Sequence, residues 1–224
     1  MKKLFYVLSF LLLGIPFYQA SAQDIKIGVK GGYNAANWEG NAMDNFQSIV
    51  QLSEGYANTE MRPGFHAGAY LSIPVTSFFT IEPGAYYSQK GMRLTGKLSS
   101  ETLDFLNLQA TLTNKAEYVD VPLLFKVFVT DGFHIYVGPQ VSFLVSNKIN
   151  ARAAVLGLNV INQDINFDSQ IRKTDVGLAG GIGYRFTNGF NLSGGYDYGL
   201  NTVDKGGNIN TYNRVIKVSM GFEF

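Results

Sequence analysis

Eleven charged residues stand at alternate positions of otherwise apolar stretches, where ionised side chains are costly unless something offsets them. They are Lys26, Lys30, Glu82, Lys90, Asp120, Lys126, Asp175, Arg185, Asp197, Lys217 and Glu223. Two histidines, His66 and His134, are the side chains whose ordinary pKa lies near neutral pH. Three kinds of chemistry suit such residues: mutual ion pairing, a proton or ion path, or acid–base catalysis around a histidine. Pairing is the expected outcome for buried charge, because an unpaired one would neutralise or destabilise the fold.

Catalysis is the weaker reading. A Ser/His/acid site needs its members within hydrogen-bond reach, and the two histidines fall at opposite ends of the predicted elements, His66 beside a long connection and His134 just after a short turn. No two-histidine metal site follows from them, so no metal, cofactor-binding or catalytic residue is assigned. An alternative with His66 meeting Glu60 or Ser88 near a rim would resemble lipid-modifying chemistry. The glycine-rich stretches "GVKGG" and "GGIGYRF" open no helix, so they do not read as phosphate-binding loops.

The elements that must carry these charges are strands. Period-two alternation predicts eight, at about 24–34, 64–73, 78–91, 116–129, 133–147, 174–186, 190–201 and 213–224. In 117–129, "EYVDVPLLFKVFV", Val119, Val121, Leu123, Phe125 and Val127 form one row, and Asp120, Pro122 and Lys126 belong to the other. Pro122 removes a ladder donor, which predicts a bulge or a missing hydrogen bond there. Short turns at "PVTS", "TDG" and "TNG" alternate with long connections at roughly 35–63, 92–115, 148–173 and 202–212. In an up-and-down antiparallel sheet this places every long connection at one end, and an even strand number lets the sheet close.

Alternation alone does not say which face is inside. Three observations favour an apolar exterior in lipid over a secreted soluble barrel. The polar row is rich in glycine rather than in solubilising Lys and Glu; aromatics cluster at strand ends, as in "RFTNGF" and "GFEF"; and the last strand is aromatic. The expected fold is therefore an all-β, eight-stranded antiparallel up-and-down transmembrane barrel, with short periplasmic turns and four longer extracellular loops. Residues 1–22 read as a secretory signal peptide: "MKK", the apolar "LFYVLSFLLLGI", then "ASA" with cleavage after Ala22. The barrel domain would be 23–224, located in the cell outer membrane of a Gram-negative envelope. Without Lys2 and Lys3 it has 16 basic and 17 acidic residues, a balance that gives no reason to expect nucleic acid. Cysteine is absent, which excludes disulfides and thiolate metal sites.

Opposed residues in an antiparallel hairpin have numbers with a constant sum. On that arithmetic Lys90 pairs with Asp120 (sum 210), Glu82 with Lys126 (208), Asp197 with Lys217 (414), and Glu223 lies near Lys26. These eight residues form the predicted structural ion-pair network of the lumen. An eight-stranded barrel is just wide enough for side chains to fill it, which argues against a diffusive pore. The long connections at 43–56, 100–112 and 151–171 are more apolar than solvated tips need; the first two are spaced loosely for helix, and the third would extend strands five and six.

Several segments resemble the PorT-like small outer-membrane β-barrel family of Bacteroidota: "IGVKGGYN", "GFHAGAYLSIPVTSFFTIEPGAYYSQKG", "EYVDVPLLFKV" and "YVGPQVSFLV". One departure is Glu82 preceding Pro83, where that family more often has the acid after the proline. The resemblance implies an outer-membrane barrel and leaves activity open. The expected role is that of a non-enzymatic scaffold, envelope-integrity or partner-docking protein, with outer-membrane lipid around it and a protein partner at its extracellular loops; the resemblance leaves room for a link to secretion. The alternatives are a lipid-modifying outer-membrane enzyme and a narrow channel.

Overall fold

The computed structural model describes residues 25–40, 55–98, 109–155, 158–166, 171–205 and 210–224; the predicted signal peptide lies outside them. The described residues form ten strands: β1 (Lys26–Glu39), β2 (Gly55–Glu60), β3 (Arg62–Pro74), β4 (Phe79–Leu98), β5 (Gln109–Phe128), β6 (Phe133–Val155), β7 (Leu158–Asn166), β8 (Thr174–Arg185), β9 (Phe190–Gly199) and β10 (Tyr212–Glu223). Eight of them form a closed antiparallel ring in the order β4-β3-β1-β10-β9-β8-β6-β5, and β5 pairs back to β4. Closure leaves no edge in the ring.

The burial pattern is inverted relative to a soluble protein. Glu82, Lys90 and Asp120 are 1%, 1% and 0% exposed, whereas Val137, Val218 and Met220 are 55–60% exposed. Polar side chains therefore fill the inside, and the valine, leucine and aromatic rows form the outer wall. Such a wall is stable only against an apolar solvent.

Three short turns join the strands at one end. The 186–189 turn is closed by the Phe186 amide donating to the Phe190 carbonyl at 2.8 Å, and Gly189 has φ +88, which only glycine adopts without strain. The "TDG" turn also carries a glycine, Gly132. Its φ is not positive; glycine is required there because the Arg185 carbonyl oxygen lies 2.6 Å from where a Cβ would sit.

At the other end the walls are unequal. β4, β5 and β6 reach 20, 20 and 23 residues, against 10 to 14 for β1, β3, β8, β9 and β10. β2 adds to β4 and β7 to β6, so a five-stranded flange, β2-β4-β5-β6-β7, stands above one side of the ring. The flange corrects the predicted connections. Residues 109–112 and 55–56 are strand, not helix, while 41–54 and 99–108 lie outside the described residues. The 151–171 stretch extends β6 and supplies β7, but β8 begins only at Thr174. Alternation failed to mark these parts because strands above an apolar wall have no face that must be greasy.

Pro122 lies on the inward row. The β4–β5 pairing lapses between Pro83↔Leu123 and Tyr86↔Asp120 and resumes in the same register, which is a missing bond rather than a bulge. A true bulge occurs higher, where the β5–β6 register shifts between Glu117 and Tyr118.

Candidate functional site

Two clusters of charge occupy the lumen. Near the short-turn end, Glu82 on β4 accepts Lys30 Nζ from β1 at 2.8 Å and also contacts Lys126 on β5. Tyr70 packs between these bases, its ring centre 4.6 Å from Lys30 Nζ and 5.5 Å from Lys126 Nζ. The Tyr70 hydroxyl accepts from Asn191 at 2.9 Å and donates to Glu223 at 3.3 Å; Arg185 approaches Glu223 at 3.6 Å. Gly28 permits this arrangement, since a Cβ there would fall inside the Tyr70 ring.

The second cluster lies toward the flange. Lys90 Nζ meets Asp120 at 2.7 Å, and Lys217 Nζ bridges Asp120 at 3.1 Å and Asp197 at 2.6 Å. Gln140 donates to Asp197 at 3.1 Å, and Ser142 accepts from Lys90 at 3.0 Å. Asn213 donates to Asp175 at 2.7 Å. Beyond these charges the inward positions turn apolar, with Ala36, Met92, Leu94, Ala116 and Val215 all buried.

Between the clusters is a cavity of about 50 Å³, lined by Lys30, His66, Tyr86, Tyr136, Gln140, Asp197, Lys217 and Ser219 among others. It has room for water but not for a larger solute. The Tyr86 hydroxyl is buried and has no hydrogen-bond partner within the protein. His66 is held on both ring nitrogens, by Asn34 at 2.6 Å and by Ser219 at 2.9 Å. Asn34 in turn donates to Ser88 at 3.1 Å, and Glu60 lies at Arg93, 3.9 Å away. His134 sits under the short turn, with Nδ1 3.2 Å from the Gly132 carbonyl. Among the described residues no cluster of three metal-ligating side chains occurs.

A sequence profile of the outer membrane protein beta-barrel domain matches residues 17–205. The chain belongs to that family. The short turns of this outer-membrane barrel are accordingly its periplasmic end, and the flange is extracellular. Among solved structures the chain is similar to the attachment invasion locus protein Ail of Yersinia pestis, with 10% identity and TM-score 0.47 over 90% of this chain and 100% of that one. It is similar to Neisserial surface protein A at 11% identity and TM-score 0.42, covering 90% and 100%. It also resembles OprG of Pseudomonas aeruginosa at 11% and 0.33, covering 89% and 95%. At these values the likeness is one of general shape. No curated protein matches the chain.

Of the eight residues assigned to the barrel's lumenal network, seven lie in these clusters and Lys26 does not. Lys26 is exposed at the periplasmic rim, and Glu223 pairs with Arg185 instead. β1 and β10 pair with a constant sum of 251, as in Gly28↔Glu223, so Lys26 stands one diagonal step past Glu223 at the exposed end of β1, and Arg185 reaches the carboxylate instead from β8, across β9. The other sums also differ. They are 206 in β4–β5, where Asp120 opposes Tyr86 and Lys126 opposes Thr80, and 412 in β9–β10, where Lys217 opposes Gly195. Each ion pair is therefore diagonal, within reach of a long lysine side chain.

Hairpin arithmetic missed the contacts that cross the lumen. Lys30 reaches Glu82 over the intervening β3, and Lys217 reaches Asp120 from the diametrically opposite strand. The sequence holds one pointer to them: Asp120 and Glu82 need more than one base each if fully desolvated.

Proposed function

We propose that this protein is a non-enzymatic, membrane-embedded scaffold whose extracellular flange docks a protein partner. The observation that supports it most is the Lys217–Asp120 contact at 3.1 Å between opposite walls. A lumen crossed by an ion pair, with a cavity of only about 50 Å³ beside it, favours a filled structural core over a conduit. That leaves the flange, with its five strands on one side, as the feature exceeding what a minimal barrel needs. Kinship with PorT-like barrels, and a role beside a secretion machine or in envelope integrity, belong to the same reading.

Photocrosslinking in intact cells tests it. Photoreactive residues at Asn58 and Arg152, both exposed on the flange, should give discrete protein adducts, and one at Val137 on the outer wall should give none. A flange that yields no adduct beyond the wall background sinks the docking role. The competing readings have their own tests. A changed lipid A profile on His66→Ala would favour a lipid-modifying enzyme, and discrete conductance in a planar bilayer would favour a channel.

A further inference from the structure

The outward row of β5 is apolar through Leu123, Val121 and Val119 and then changes abruptly to Glu117 and Lys115. Lys115 lies directly opposite Lys148 on β6, so both side chains leave the same face. Gly91 flanks Lys115 on β4 and brings no side chain. Lys148 is exposed, Lys115 is half-exposed, and no ion pair among the described residues includes either. Like charges opposed across an antiparallel pair are destabilising. Glu117 is the one acid on that row of β5, one step toward the membrane; on β7 Asn166 is the position opposite Lys148 and Asp164 the one opposite Asn150, and one row above on β4 Arg93 is already paired with Glu60. Arg152 is also exposed on the outward row of β6, two steps further out.

The height of the pair matters. Val119 to Lys115 is four residues, about 13 Å along the strand and about 10 Å along the membrane normal at the usual tilt. That is the level of the lipid headgroups rather than of the hydrocarbon. We propose that Lys115 and Lys148 form a clamp for the phosphate of an outer-leaflet lipid headgroup, whose negative charge relieves the repulsion between them. The acyl chains would then run down the apolar row that starts at Val119 and Phe143, opposed residues of the same two strands.

The test uses purified protein in neutral detergent micelles doped with diphosphoryl lipid A or with dephosphorylated lipid A, and bound lipid is counted by native mass spectrometry. Wild type and Lys26→Gln, a lysine at the opposite end, should retain the phosphorylated lipid preferentially. Lys148→Gln should lower that retention about fivefold, and Lys115→Gln/Lys148→Gln about 25-fold, at roughly a fivefold factor for each lysine near a membrane surface. Heat-modifiable migration on gels checks that each variant is folded; the single variant at exposed Lys148 carries the test if the double one is not. Equal retention by Lys148→Gln and wild type overturns the proposal, as does equal retention of the two lipids by wild type. Displacement by millimolar inorganic phosphate would reassign the site to a free anion. None of these outcomes depends on the docking role.

Discussion

Lys217, on the strand that closes the ring, holds two carboxylates at once: Asp120 at 3.1 Å on the opposite wall and Asp197 at 2.6 Å on the neighbouring strand. Asp120 is completely buried, and among the described residues its ion-pair partners are Lys217 and Lys90.

Replacing the shared base should therefore cost more than replacing a surface lysine. Lys217→Met is expected to lower stability by about 3–5 kcal/mol, the usual penalty for leaving a buried charge without its partner. Adding Asp197→Asn should recover part of the loss. The urea midpoint of the heat-modifiable gel shift measures both, and a midpoint unchanged in Lys217→Met would refute the network's structural role.

The inside and outside of the wall can be separated by depth. Leu123→Arg places a charge on the outward face of β5, near the middle of the apolar band, and should cost about 2–4 kcal/mol. Leu200→Arg, at the extracellular end of β9, should cost about 0–1 kcal/mol. Equal penalties measured by folding into lipid vesicles would mean that the band is misplaced.

The corrected pairing of Glu223 makes a sharp comparison. Arg185→Gln removes the base 3.6 Å from Glu223 and should destabilise by about 1 kcal/mol, a modest value because the arginine is partly exposed. Lys26→Gln should leave the midpoint unchanged. The reverse order of effects would restore the pairing drawn from sequence.

Gly189 tests the periplasmic turn. At φ +88 a β-branched residue is strained, so Gly189→Val should cost about 1–2 kcal/mol and slow insertion into vesicles. Gly194, with open space where a Cβ would go, is the control: Gly194→Ala should be near neutral.

The architecture was legible in the sequence wherever one face of a strand meets the apolar wall. Val119 to Val127 alternate because lipid-side and lumen-side positions obey opposite solubility rules, and all eight ring strands were found on that basis. The stretch "QATLTNK" at the start of β5 was not found, because both of its faces lie above the wall and neither is constrained to be apolar. The lumenal charges were visible one by one, but their partners were visible only between neighbouring strands. Lys217–Asp120 and Lys30–Glu82 arise from ring closure, which no single hairpin contains. Lys26 was given Glu223 because only neighbouring strands were compared, whereas Glu223 is reached by Arg185 from β8, across the intervening β9.

That long-range register gives assembly a direction. Until β10 docks between β9 and β1, Asp197 has Gln140 but no base, Asp120 has Lys90 alone, and the ring retains two open edges. The strand that seals the ring brings Lys217 to the two aspartates and Glu223 to Arg185, so an incomplete barrel holds unpaired charges of both signs inside a low-dielectric wall. Completion of the ring and pairing of these charges are thus one event, and a barrel stalled one strand short has an electrostatic reason to reopen rather than persist.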